Sequence, residues 1–309
     1  MKKIAFIFPG QGSQKKGMGE DFYNNSDLAK EIIDSISEKS GIDFKKLMFE
    51  DSEELGKTEF TQPSILLVSS VALALFNQKT DIKPEFVLGH SLGEFSALVA
   101  TGALSVEDGV SLVNQRGKFM QEDCSNIEAG MMVVLGLSDE VVEKICEDAR
   151  LKSKQVWAAN YNSDGQIVVA GLKPDLKEME SVFKDAGAKR AMLLDMSVAS
   201  HCPLLKNASE KLSKELDEKL SDSFEVSVIS NVTASGYNTK EEAMKLLKEQ
   251  LIKPVKYKQS ISNHDAEIDL FIELGGAVLK GINRKITKVT TVSVTDMKSL
   301  EAAIEAINS

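Results

Sequence analysis

Histidine, cysteine, proline and tryptophan are scarce in this 309-residue chain, with three, three, six and one respectively. The cysteines Cys124, Cys146 and Cys202 are odd in number and show no C-x-x-C spacing. That excludes a disulfide framework and a zinc knuckle and argues for a reducing compartment. Basic charge is in deficit too: 37 Lys and Arg against 47 Asp and Glu give a formal net charge of −10. Such a balance offers no general attraction to nucleic acid or to an anionic membrane. Long apolar runs are missing, since the stretch from Ile65 to Phe76 is interrupted by serines and reads as too short to span a bilayer. The opening MKKIAFIFPG imitates a signal peptide, but its apolar run Ile4 to Phe8 stops at Pro9-Gly10 and no small-x-small cleavage site follows. It reads as a first buried strand, and the chain is expected to be cytoplasmic. There is no repeat, no low-complexity tract and no long linker.

What is present is an ordinary globular composition, 42% apolar and 27% charged, on a chain long enough for a large core. Residues 1–124 alternate short apolar runs with helical patterns. A strand at 3–8 precedes a glycine-rich loop, then helical segments near 27–39 and from Thr61-Gln62-Pro63, where proline suits a first turn. The strand Phe86 to Leu88 follows, then more helix to about residue 120. This βα alternation predicts a parallel sheet covered on both faces; the large domain is expected to be α/β-hydrolase-like.

Between 125 and 198 the pattern changes. Strands are predicted at Met131–Leu135, Val156–Ala159, Ile167–Ala170 and Ala191–Leu194. Helices run from Ser138-Asp139-Glu140 to about Arg150 and from Pro174 to Gly187. The order β-α-β-β-α-β predicts a small ferredoxin-like domain at 125–198, inserted into a large domain made of 1–124 and 199–309. After it come an amphipathic helix (Leu204, Ala208, Leu212, Leu216, Leu220) and strands at 226–229, 268–273 and 289–294.

Gly89-His90-Ser91-Leu92-Gly93 is a G-x-S-x-G placed between a strand and a helix. Glycines on both flanks permit a sharp turn that exposes the serine oxygen and turns the next N–H groups toward the same spot. The helix beginning at Leu92 adds the positive end of its dipole. Ser91 is therefore the candidate nucleophile, with a simple helix-capping serine as the alternative. A serine needs a base. Of the three histidines, His90 adjoins the turn and should point elsewhere, and His264 lies in the polar run Ser262-Asn263-His264-Asp265, read as solvated surface. His201, in a loop at the domain junction, is the candidate by elimination. The loop Pro9-Gly10-Gln11-Gly12-Ser13-Gln14 has neither the dinucleotide nor the P-loop spacing. Either it is a plain turn or it aims the N–H of Gln11 at an oxyanion beside Ser91. Arg116 is by default a surface arginine; buried toward the cleft, its guanidinium would suit a substrate carboxylate.

Taken together, FPGQGSQ (8–14), TQPSILL (61–67), GHSLGE (89–94), QRGKFMQ (115–121), NSDGQIVVAG (162–171), GAKRAMLL (187–194) and SHCPLL (200–205) resemble the malonyl-CoA:acyl carrier protein transacylase family over essentially the whole chain. The resemblance implies a ping-pong acyl transfer from malonyl-CoA to acyl carrier protein in fatty-acid synthesis, and an inserted ferredoxin-like unit. Ser91 would be the nucleophile and His201 the base, with the N–H groups of Gln11 and Leu92 as oxyanion hole and Arg116 on the malonyl carboxylate. It also implies that a backbone carbonyl matching Gln250 orients the histidine in place of an aspartate. Asp195 stands as the alternative, because the order Ser…Asp…His also suits a hydrolase triad. No metal or redox cofactor is implied, and a monomer is the default oligomeric state.

The chain departs from the family where Glu273-Leu274-Gly275-Gly276-Ala277-Val278-Leu279 replaces Glu-x-Gly-Pro-Gly-Lys-x-Leu, one residue shorter and without the proline. That bears on loop shape and on carrier contacts. An acidic carrier needs a local basic rim on this acidic chain. Candidates are Lys253, Lys256 and Lys258 with Arg284, Lys285 and Lys288, or else Lys189 and Arg190; the rim is expected to include Lys253 to Lys258. Rival readings are a serine hydrolase or thioesterase, an acyltransferase for another acyl-CoA, and a non-catalytic carrier-binding subunit.

Overall fold

The computed structural model describes residues 2–50 and 53–309 of the chain. Among them are ten strands. The first five are β1 (Ile4–Phe8), β2 (Phe86–Gly89), β3 (Ala129–Leu135), β4 (Val156–Ser163) and β5 (Gln166–Leu172). The rest are β6 (Arg190–Leu193), β7 (Val228–Ile229), β8 (Gly236–Tyr237), β9 (Leu270–Leu274) and β10 (Thr290–Val294). They form an α/β fold with two sheets.

The larger sheet has the order β10-β9-β1-β2-β7-β8 and is parallel except for the β7–β8 hairpin. Every residue of β1 is buried: Ile4, Phe6 and Phe8 enter one core cluster, and Ala5 and Ile7 another on the opposite face. That two-sided burial is why β1 reads as an unbroken apolar run. Register sets the site. Phe8 pairs with Gly89 and Leu88 with Ile229, so the loops after β1, β2 and β7 emerge side by side at the carboxyl end of the sheet, where ligands bind in open α/β sheets.

The smaller sheet has the order β4-β5-β3-β6, antiparallel throughout. Helices Asp139–Leu151 and Lys173–Asp185 join its strands, giving β-α-β-β-α-β along the chain. Period-2 alternation divides its residues. Met132, Val134 and Val169 pack with the two helices, whereas Met131, Val168 and Ala170 join the main core. Backbone bonds from Tyr161 N to Val255 O (2.9 Å) and Val255 N to Ala159 O (2.8 Å) stitch this sheet to the larger unit.

Two sequence expectations are corrected. The helix expected to open at Thr61-Gln62-Pro63 starts at Thr58 and runs to Lys79, with Pro63 inside it. Pro63 has no N–H for the carbonyl of Glu59; Asn114 Nδ2 donates to that carbonyl at 2.7 Å instead. The serines do not shorten this helix, because Ser64 and Ser70 turn their hydroxyls back onto Phe60 O and Leu66 O, each at 2.8 Å. Its 22 residues are long and apolar enough to cross a membrane, but 83% of the apolar window is buried inside the protein. The helical stretch expected to reach about residue 120 is found as two helices, Gly93–Ala100 and Val106–Cys124, separated at Gly102, whose φ is +79°. Second, His264 is only partly solvated: its ring lies 5.3 Å from that of Phe86 and pairs with Glu267 Oε1 at 2.9 Å, leaving 18% of the side chain exposed.

Candidate active site

Ser91 sits on the turn between β2 and helix Gly93–Ala100 with φ of 53°, in the left-handed region. For a non-glycine residue that conformation costs roughly 1–2 kcal/mol, so the surroundings must hold it. Two glycines make room. A Cβ on Gly89 would lie 1.9 Å from the carbonyl carbon of Gly93, and one on Gly93 would lie 2.1 Å from the carbonyl oxygen of Phe8. Asn231, just beyond β7, then pins the turn. Its Oδ1 accepts from the N–H of Ser91 at 2.6 Å and its Nδ2 donates to the carbonyl of Gly89 at 2.6 Å.

The raised Oγ of Ser91 lies 2.8 Å from Nε2 of His201 and accepts from Nη2 of Arg116 at 3.2 Å. His201 is itself held at a positive φ of 62° and is buried. Its Nδ1 is 2.7 Å from the backbone carbonyl of Gln250. A carbonyl can only accept, so Nδ1 carries the proton and Nε2 offers its lone pair to the Ser91 hydroxyl. Burial first, and the charge of Arg116 next, push the His201 imidazole down to about 3. It is therefore a neutral acceptor at physiological pH. Asp195 is exposed and makes no bond to this ring, so the hydrolase order Ser…Asp…His is not assembled. His90 points away from Ser91, as its place on the turn required: Nε2 meets Asn162 Oδ1 at 2.8 Å and the ring packs 5.3 Å from Tyr257.

Arg116 reaches the cleft from helix Val106–Cys124 and is 1% exposed. Nη1 donates to Gln62 Oε1 at 2.8 Å and Nη2 to Gln250 Oε1 at 3.1 Å, while Phe95 lies under the guanidinium at 5.3 Å. Nε has no partner, and among the described residues no carboxylate forms an ion pair with Arg116. Burial pulls its pKa down to about 9, opposed by Glu94, which leaves it cationic at neutral pH. A buried cation held only by neutral oxygens is costly until an anion reaches it.

These groups line a cavity of about 310 Å³ with Gln11, Leu92, Met131, Val168, Val278 and Leu279 among its walls. The backbone N–H groups of Gln11 and Leu92 have no protein acceptor among the described residues. The Glu273–Leu279 loop borders the same cavity. Glu273 is buried and accepts from Leu279 N at 2.8 Å and Lys280 N at 2.9 Å, while Gly275 takes φ +87° against Ser69. Of the expected rim lysines, Lys258 is half-buried between Asp139 and Asp164, and Lys253 pairs with Glu249 at 2.9 Å. Lys189, Lys258 and Lys285 edge a second hollow of about 710 Å³.

Three polar residues of the site were not singled out by sequence reasoning. Gln62 and Glu94 lie inside motifs noted for other residues, TQPSILL and GHSLGE. Asn231 follows a two-residue strand and carries no local signal. Glu94 is fully buried below Ser91, and burial raises its carboxyl to about 7 against the pull of Gln250, Asn231 and Tyr237.

A serine raised on a strand–helix turn, hydrogen-bonded to a carbonyl-oriented histidine and a buried arginine, is an arrangement suited to acyl transfer. The chain belongs to the acyl transferase domain family, whose model matches residues 5–299. It is similar to the malonyl CoA-acyl carrier protein transacylase of Bacillus subtilis (strain 168), 40% identical over 311 residues, covering 99% of this chain and 98% of the relative. The protein of that name from Staphylococcus aureus (strain MRSA252) is 40% identical over 304 residues, 97% of each chain. Among solved structures, malonyl-CoA:acyl carrier protein transacylase from Helicobacter pylori superposes with a TM-score of 0.97 at 45% identity, covering 100% of this chain and 99% of that one. A malonyl-transacylase in complex with a type II PKS acyl-carrier protein matches with a TM-score of 0.94 at 33% identity, covering 98% and 99%.

Proposed function

We propose that this chain transfers the malonyl group from malonyl-CoA to the phosphopantetheine thiol of acyl carrier protein, through a malonyl ester on Ser91. Oγ attacks the thioester carbonyl carbon as His201 Nε2 takes its proton. The tetrahedral oxyanion is held by the N–H groups of Gln11 and Leu92 and collapses, expelling coenzyme A, which leaves with the proton from His201. In the second half-reaction the carrier thiol passes its proton to His201 and attacks the ester carbonyl. Ser91 oxygen leaves and recovers that proton. A carbonyl behind the histidine orients the ring but stabilises imidazolium less than a carboxylate does.

The observation that carries this reading is Arg116: a buried guanidinium beside the nucleophile, bonded only to neutral oxygens, suits the free carboxylate of a malonyl group in both half-reactions. A hydrolase of neutral esters has no use for it. The relatives at 40% identity carry the transacylase activity in their names.

The same reading takes 125–198 as an inserted ferredoxin-like unit, supported by the chain order β-α-β-β-α-β, and 1–124 with 199–309 as an α/β-hydrolase-like body. The work is cytoplasmic, with no cofactor beyond the substrate's own coenzyme A. Lys189 and Lys285, rather than the ion-paired Lys258, are the better carrier-facing rim. Intact-protein mass spectrometry after mixing with malonyl-CoA tests the chemistry: a malonyl adduct on wild type and none on Ser91→Ala is the expected result.

A further inference from the structure

The side-chain amide of Gln250 lies between the buried carboxyl of Glu94 and the buried guanidinium of Arg116. Its Nε2 donates to Glu94 Oε2 at 2.7 Å and to the Ser91 carbonyl at 3.0 Å, while its Oε1 accepts from Arg116 Nη2 at 3.1 Å. An amide has one donating end and one accepting end, and a guanidinium can only donate. If the amide turned over, two donors would face each other at Arg116 and two acceptors at Glu94. The acceptor below therefore selects the rotamer that serves the cation above.

Glu94 has a second branch. Oε2 also accepts from the N–H of Asn231 at 3.1 Å and Oε1 from the hydroxyl of Tyr237 at 3.1 Å. Asn231 is the residue whose Oδ1 holds the N–H of Ser91. Glu94 is wholly buried, and its three donors are neutral. No chemical step above uses it.

We propose that Glu94 is a positioning residue: by accepting from Gln250 it fixes the amide with Oε1 toward Arg116, and so sets the orientation of the carboxylate clamp and the selectivity for a malonyl over an acetyl group. The inference rests on the proposed role of Arg116. His201 does not depend on that amide, because its acceptor is the main-chain carbonyl of Gln250. The clamp and the base can therefore be separated.

The test compares Ser91 acylation by malonyl-CoA and acetyl-CoA with labelling by a fluorophosphonate, which carries no carboxylate. Glu94→Leu removes the acceptor, Glu94→Asp keeps a carboxyl but withdraws it from the amide, and Glu94→Gln keeps one accepting oxygen in place. Loss of that buried acceptor predicts that the malonyl-to-acetyl ratio falls about tenfold or more in the Leu and Asp variants. The Gln variant restores most of the ratio, since Tyr237 can turn its hydroxyl to accept. Fluorophosphonate labelling of each variant reads the branch through Asn231 and normalises the ratio, and the Asp variant keeps the test open if the Leu variant does not fold. An unchanged ratio in Glu94→Asp, or a ratio that falls only in step with fluorophosphonate labelling, overturns the proposal. Arg116→Ala serves as the control: a ratio unchanged there removes the clamp itself, whereas a ratio lost there and kept in the Glu94 variants removes only this inference.

Discussion

The Nδ1–H of His201 donates to the main-chain carbonyl of Gln250 at 2.7 Å, at a separation of 49 residues. The acceptor belongs to the backbone, so no single substitution deletes it, and it carries no charge to raise the basicity of the ring. Burial and Arg116 then depress the imidazole.

A pH profile follows from that pair. An ordinary histidine base titrates near 6.5, and reactivity falls by half around that value. His201 is pushed down to about 3, so its lone pair stays available as pH drops. Fluorophosphonate labelling of Ser91 is expected to stay level from about pH 8 to about pH 5, with its acid limb below that. A half-loss near pH 6.5 contradicts the depressed value.

Asn231→Ala removes the acceptor of the Ser91 N–H and the donor to Gly89 O together. Leaving such groups unmet costs about 1–3 kcal/mol of stability. Ser91 held less firmly at positive φ is expected to acylate about 10- to 100-fold more slowly, a barrier increase of roughly 1.4–2.7 kcal/mol. Stopped-flow acylation and denaturant titration read the two effects separately.

Gly93→Ala is expected to abolish activity and to lower soluble yield, because its Cβ would lie 2.1 Å from the carbonyl oxygen of Phe8. The clash is with backbone of the central strand, which no rotamer change relieves. An active, stable Ala variant contradicts the packing of this turn against β1.

Pro63 and Asn114 form a compensating pair across two helices. Asn114→Ala is expected to cost about 1–3 kcal/mol by leaving the part-buried Glu59 carbonyl without its donor. The same change in a Pro63→Ala background is expected to cost less, since the alanine introduced there supplies its own N–H to that carbonyl. Equal costs in both backgrounds mean that the Asn114 bond does not replace the missing one.

How much of this was legible in the sequence depended on range. The smaller sheet was readable because each strand is bounded by local signals, such as Ser163-Asp164-Gly165 between β4 and β5. The Ser91 turn was readable because its glycines lie within two residues of it. Arg116 showed from its own residues as two alternatives, surface or cleft; the family resemblance pointed to the cleft, and the structure buries it there. Asn231 and Glu94 were not legible: they act on partners 140 and 156 residues away, Ser91 and Gln250, and nothing near them in the chain announces it. Pro63 misled because a proline marks a first turn only when no side chain elsewhere can satisfy the carbonyl it abandons. His264 misled because its polar neighbours hide a ring packed on Phe86.

The most direct test of the central claim is intact-protein mass spectrometry of wild type, Ser91→Ala and Arg116→Ala after mixing with malonyl-CoA or acetyl-CoA. A malonyl adduct is predicted on wild type, none on Ser91→Ala, and one at least about tenfold weaker on Arg116→Ala, the loss expected for a charge-assisted bidentate contact. Equal malonyl and acetyl adducts on wild type and Arg116→Ala would contradict the clamp. No adduct on wild type, with hydrolysis of simple esters instead, would contradict acyl transfer itself.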